Sequence, residues 1–256
     1  MKNNKILVVY NMCGLKRENI DFYKKAISSI LNQKFDGFHV VLSMYKNTLY
    51  CKRELAKEFG SKLSYVYYDI KYPLGVNSTF NKTVDLCVKN MGKFEGYLYV
   101  DSGVTFEDMG PGNSEDIIQK SYDAFKSGPY AMASIQVNDD SQIFSHEMYE
   151  AFNNKILPDV FAAYCSESVL SFLSSCIQKK WIIIKDVNIK HMPSIEGASV
   201  AFNHSSPRFK NSWNNLLCNR NALDFINDPT AIESGLGYEE CGNIMMHKKE
   251  AYNEES

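Results

Sequence analysis

Four short apolar runs, separated by segments of helical period, fill the first hundred residues, and this alternation restricts the possible folds more than any other feature. Lys5-Ile-Leu-Val-Val-Tyr10, Phe38-His-Val-Val-Leu-Ser43, Leu63-Ser-Tyr-Val-Tyr-Tyr68 and Gly96-Tyr-Leu-Tyr-Val100 read as strands. The first two are nearly continuous in apolar character, as strands covered on both faces are. Between the runs, residues 18–33 place Tyr23, Ile27, Ile30 and Leu31 at helical spacing with Lys24 and Lys25 opposite. Residues 48–59 form a second helix stopped by Gly60, and residues 78–91 a third. Strands alternating with helices require parallel pairing through right-handed crossovers, so the expected fold is an open α/β sheet with helices on both faces. Ligands of such sheets bind beyond the carboxyl ends of the strands. Here those ends are Tyr10-Asn11, Ser43, Asp69 and Asp101.

The second half is less regular. A helix is expected over 114–125, a strand over 130–137 and a long helix within 158–178. A strand follows over 181–185, with 188–191 as its short extension. Beyond Pro207 the chain is Asn-rich, with a helix over 212–225 and a polar, acidic tail whose last ~10–15 residues are expected to lack order. No repeat or low-complexity linker divides the chain.

The 256 residues carry 28 Lys and Arg against 30 Asp and Glu, a net charge of −2. No global positive field therefore favours nucleic acid or an anionic membrane. No apolar run approaches the roughly 20 residues of a membrane span, and residues 6–10 are too short for a signal segment. The chain reads as cytoplasmic. Its seven cysteines are scattered and form no CxxC pair, so they read as small buried hydrophobes. The N-x-Ser/Thr matches at Asn77, Asn81 and Asn203 carry no meaning in that compartment.

Several nucleotide and hydrolase signatures are missing: GxxxxGK[ST], GxGxxG after the first strand, HExxH and GxSxG. What stands out is Asp101, a carboxylate closing an apolar strand and followed by Ser102-Gly103, small residues that let a ligand approach the backbone. A divalent cation bridging a diphosphate needs oxygen ligands at such a place; a turn or N-cap aspartate looks the same in sequence.

Three segments in order add weight: Ala26-Ile-Ser-Ser-Ile-Leu-Asn-Gln33, Gly75-Val-Asn-Ser-Thr-Phe-Asn81 and Tyr97-Leu-Tyr-Val-Asp-Ser-Gly103. Together they resemble the nucleotide-sugar-binding half of GT-A-fold glycosyltransferases, especially the inverting family-two enzymes, with S-[IL]-x-x-Q closing a helix, G-x(5)-N opening the third helix, and a strand ending in D-x-D. The resemblance implies a GT-A type, Rossmann-like, mostly parallel sheet. It covers residues 5–105 well and continues weakly to about 200. It divides one continuous domain into a nucleotide-sugar-binding half (1–105) and an acceptor-binding half (106–256).

It also implies roles. Tyr10, Asn11 and Met12 would cradle the nucleotide, Asp69 would meet base or ribose, and Gly75 to Asn81 would lie along it. Asp101, with Ser102 and Gly103, would sit near ribose and metal. Gly103 stands where the family carries its second acid, with Glu107 or Asp108 as replacements from the next turn. His191, after a late strand, would complete a metal shell, and an imidazole suits Mn²⁺ better than Mg²⁺. An inverting transfer also needs a carboxylate to deprotonate the acceptor hydroxyl. Glu167 at a helix start is the first candidate, with Asp159 and the Asp139-Asp140 pair as rivals. The implied reaction is glycosyl transfer from a nucleoside-diphosphate sugar, UDP first, to a hydroxyl acceptor such as a glycan, as in polysaccharide biosynthesis. The alternatives are a non-catalytic nucleotide- or glycan-binding domain and a sugar-nucleotide nucleotidyltransferase. The latter usually carries a Gly-rich basic loop after the first strand, and Asn11-Met-Cys-Gly-Leu-Lys-Arg17 has one glycine.

Overall fold

The structure, a computed structural model, describes residues 5–12, 20–45, 48–68, 76–106, 116–135, 141–157, 177–184, 187, 189–191 and 244–247. The first-half elements fall where hydrophobic period places them. They are β1 (Ile6–Met12), α1 (Ile20–Leu31), β2 (Phe38–Tyr45), α2 (Lys52–Phe59), β3 (Leu63–Tyr68), α3 (Val76–Met91) and β4 (Gly96–Val100). After them come β5 (Val104–Thr105), α4 (Ile117–Lys126), β6 (Tyr130–Ile135), β7 (Ser141–Ser145), α5 (His146–Ala151), β8 (Lys180–Ile184), β9 (Lys190–His191) and β10 (Ile244–His247).

Among the described residues, eight strands form one sheet in the order β10-β3-β2-β1-β4-β7-β6-β8. β1 pairs in parallel with β2 and β4, β2 with β3, and β6 with β8. β7 runs antiparallel between β4 and β6, and β10 antiparallel on the edge of β3. The sheet is thus mostly parallel, with two reversed strands.

Strand alternation sorts the core into two layers. Ile6, Val8, Tyr10 and Met12 join Tyr23, Ala26, Ile27 and Ile30 of α1 and Ile117, Ile118 and Phe125 of α4 on one face. Leu7 and Val9 join Phe80, Val84 and Cys87 of α3 and Met148 and Tyr149 of α5 on the other. Each fully buried aliphatic side chain of β1 contributes about 1.5–3 kcal/mol, which is why this run is the centre of the sheet. Gly60 ends α2 at φ 51°, ψ −123°, a conformation few residues but glycine adopt.

Three expectations are corrected. β7 and α5, over residues 141–151, are elements that the sequence pattern does not announce. β9 is no extension of β8: Thr105 and Val104 pair with Lys190 and His191 in a separate two-stranded sheet. The polar tail, expected to lack order, contributes a strand: Ile244–His247 pairs with Tyr65–Tyr68 of β3. The expected helices over 158–178 and 212–225 lie outside the described residues. Among the described residues, no helix is long and apolar enough to cross a membrane.

Cys51 and Cys87 are buried, and burial pushes the Cys87 thiol up to about 12, as expected of small core residues. His39 on β2 shares a hydrogen bond of 2.9 Å with Ser64 Oγ on β3, and burial holds its imidazole below the usual 6.5. The unfolded chain then takes up this proton more readily than the folded one, so stability is lost as pH falls through 6.5. Urea unfolding between about pH 7.5 and 5.5 should show this loss, and His39→Gln should flatten it. An unchanged slope in the variant removes His39 as the cause.

Candidate active site at the carboxyl edge of the sheet

The carboxyl ends of β1 and β4 lie side by side, because Tyr10 pairs with Val100. The chain turns immediately after Val100: Val104 N–H donates to Asp101 O at 3.1 Å. Asp101 Oδ1 accepts from Ser102 N–H at 2.8 Å and, more loosely, from Tyr99 Oη at 3.4 Å. The aspartate is half-buried at the rim, while Ser102 and Gly103 are buried behind it. From the neighbouring strand, Tyr10 Oη donates to Ser102 O at 2.8 Å and straps the turn down. Val104, directly after the turn, pairs with His191. The backbone of the candidate histidine is thereby brought against the Asp101 turn, although 90 residues separate the two in sequence.

The S-[IL]-x-x-Q segment of α1 anchors the chain beyond that turn. Ser29 Oγ accepts from Phe106 N–H at 2.9 Å. Gln33 Oε1 accepts from Ile118 N–H at 3.2 Å, one of the first-turn donors of α4 that no helical carbonyl satisfies. Gln33 Nε2 donates to Ser29 O at 3.1 Å. This motif therefore fixes α4 and the strand after Asp101 onto α1.

On the opposite face a buried polar network seats α3 against the carboxyl ends of β1, β2 and β3. Tyr45 Oη donates to Asn11 Oδ1 at 2.6 Å and lies 3.0 Å from Thr79 Oγ1. Tyr68 Oη donates to Thr79 O at 2.8 Å and lies 2.6 Å from Thr83 Oγ1, which bonds Ser43 Oγ at 2.9 Å. Tyr45 and Tyr68 stack with centroids 5.5 Å apart. Networks of this kind specify one packing, since any broken link leaves a buried polar atom unpaired.

The expected site residues thus fall into groups. Asp101, Ser102, Gly103 and the backbone of His191 come together. Tyr10 and Met12 turn their side chains into the α1 core, and Asn11 turns into the tyrosine network. Asn81 is buried, and its Oδ1 accepts from Ile156 N–H at 2.8 Å and Leu157 N–H at 3.0 Å, while Nδ2 donates to Leu157 O at 2.6 Å. Asp69, Gly75, Glu107, Asp108, Asp139, Asp140, Asp159 and Glu167 lie outside the described residues. Among the described residues no group of three or more His, Cys, Asp or Glu side chains converges as a metal shell would. A carboxylate and an imidazole are, as residue types, donors that suit Mn²⁺.

No protein-family model and no curated protein matches the sequence. Solved structures match in shape. The mannosyltransferase PcManGT from Pyrobaculum calidifontis, solved in complex with GDP-Man and Mn²⁺, superimposes with a TM-score of 0.56 at 13% identity, over 90% of this chain and 75% of that one. HddC from Yersinia pseudotuberculosis gives 0.46 at 10% identity, over 80% and 99%. A glycosyltransferase involved in glycosylation of the major capsid of PBCV-1 gives 0.42 at 14% identity, over 78% and 98%. The likeness to PcManGT shows the fold alone: the chain shares the mostly parallel α/β architecture of that mannosyltransferase.

Proposed function

We propose that this chain transfers a glycosyl group from a nucleoside-diphosphate sugar to a hydroxyl acceptor, with a glycan as the expected acceptor class. The observation that carries the reading is the strapped turn after β4. It holds a half-buried carboxylate at the sheet's ligand edge, in a fold shared with a nucleotide-sugar transferase. Asp101 and His191 would hold a divalent cation, Mn²⁺ or Mg²⁺, which when bound supplies positive charge to stabilise a departing diphosphate. The acceptor oxygen attacks the anomeric carbon as the bond from that carbon to the diphosphate breaks. The acceptor proton passes to a carboxylate, assigned to Glu167 with Asp159 as the second candidate, and the configuration inverts.

Calorimetric titration with UDP, GDP and CDP, with and without Mn²⁺, tests this. One nucleotide should bind more tightly with the metal than without it, with that gain abolished in Asp101→Ala and weakened in His191→Ala. A folded protein that binds none of them overturns the nucleotide-sugar reading. Binding without turnover of any sugar nucleotide would leave a non-catalytic binding domain.

A further inference from the structure

The opposite edge of the sheet carries a second site that the proposed chemistry does not use. A cleft of about 520 Å³ opens where β1, β4, β6 and β8 begin. Its charged lining is Lys5, Lys93, Lys126 and Lys179 against Glu95 and Glu147. With Glu150, which pairs with Lys93 beside the lining, four ammonium groups stand against three carboxylates, a surplus of one positive charge in a chain whose net charge is −2.

These lysines come from four separate segments, yet the rim that bears them is tied together through the backbone. Glu95 N–H donates to Lys5 O at 2.7 Å, His146 N–H to Glu95 O at 3.1 Å and Lys180 N–H to Pro129 O at 2.9 Å. Buried Phe94 and Phe125 form an apolar floor. The cleft is therefore preformed, and its volume is that of a small-molecule site.

The cations are available. Lys126 pairs with Glu95 at 3.0 Å and Lys179 with Glu147 at 3.1 Å, while Lys93 reaches outward to Glu150. Such solvent-screened pairs contribute little, so an incoming anion displaces them readily. Lys5 makes no ion pair among the described residues. Its ammonium sits over the rings of Tyr122, at 5.1 Å, and Phe35, at 6.0 Å.

We propose that this cleft binds a small polyphosphate anion, separate from the donor site at the carboxyl edge. Lysines present point charges rather than the planar fork that reads carboxylates, and the buried floor offers little ring face for stacking a sugar, so a compact, multiply charged phosphate fits the lining best. Glu95 opposes the ligand, because it holds Lys126 and adds a negative charge to the rim.

The test is calorimetric titration of the full chain with pyrophosphate in EDTA, with citrate as the carboxylate comparison. Saturable, salt-sensitive binding at millimolar concentration or below is expected, with citrate weaker. Lys5→Gln and Lys126→Gln should each weaken it about fivefold, the loss of one charge contact in a solvated site. Glu95→Gln should strengthen it by a similar factor, an effect opposite to that of damaging the fold. Asp101→Ala should leave it unchanged. No saturable binding, equal binding of citrate, indifference to both lysine variants, or loss in Asp101→Ala overturns the proposal. The nucleotide titration at the other edge is read as the gain that requires both Mn²⁺ and Asp101, so either reading can fail without the other.

Discussion

Asn81→Ala is expected to lower the unfolding free energy by about 3–4 kcal/mol, a large share of what a domain of this size has. The asparagine stands in the middle of α3, where its side chain would ordinarily cost helix propensity. Instead it is buried and acts as a clasp: one oxygen receives the amide protons of Ile156 and Leu157, and its NH₂ group returns a hydrogen bond to Leu157 O. Truncation strands two backbone donors and one acceptor where water does not reach, each worth about 1–3 kcal/mol before relaxation. Asn81→Asp keeps the accepting oxygens and should recover part of the loss, whereas Asn81→Leu fills the volume and should recover none. Urea midpoints of the three variants decide the matter. A loss within ~0.5 kcal/mol for Asn81→Ala, the range of an ordinary surface change, would show that the clasp is solvated.

The same residue shows why the first half is legible in sequence and its details are not. Hydrophobic period locates β1 to β4 and α1 to α3 because each carries a buried face of its own, readable within a dozen residues. Asn81 is placed along a nucleotide by the resemblance of its G-x(5)-N segment, whereas its clasp partners, 75 and 76 residues away, leave no mark nearby. Ser29 and Gln33 are visible as a motif. Their work, gripping Phe106 and Ile118, emerges only once α4 is folded back onto α1.

β7 is the clearest miss, and its cause is tertiary. Ser141-Gln-Ile-Phe-Ser145 has two apolar residues in five, too weak a signal for a strand, yet all five are buried. It is held by neighbours on both sides: Ile143 pairs with Leu98 and with Ala133. Gly96 allows the close approach, since a side-chain carbon there would come within 3.2 Å of the Ile143 side chain. Ser145 then caps α5 by accepting from Met148 N–H at 3.0 Å, a Ser start signal obscured by the short, polar sequence before it. At the candidate site the strand end is readable because an apolar run stops on an acid. The nearness of His191 is carried only by the family resemblance, since the hydrophobic pattern gives no sign that β9 crosses to pair with β5.

Asp101→Asn is expected to reduce glycosyl transfer by about 10²–10³-fold while leaving stability within about 1 kcal/mol of the parent. The two effects separate because the side chain caps the turn and, in the proposed function, also holds the metal. One oxygen caps the turn through Ser102 N–H, and an amide oxygen serves there equally well. The negative charge is what a divalent cation needs, and asparagine removes it. Asp101→Ala loses both duties and should add a stability cost of about 1 kcal/mol for the uncapped amide. Tyr10→Phe loses the strap to Ser102 O. It should leave the charge in place, move the turn, and cost activity less than Asp101→Asn does. The comparison requires Mn²⁺ titrations of turnover for each variant. If Asp101→Asn keeps the parent's rate and metal dependence, the carboxylate is a turn residue and nothing more, and the catalytic reading of this edge fails with it.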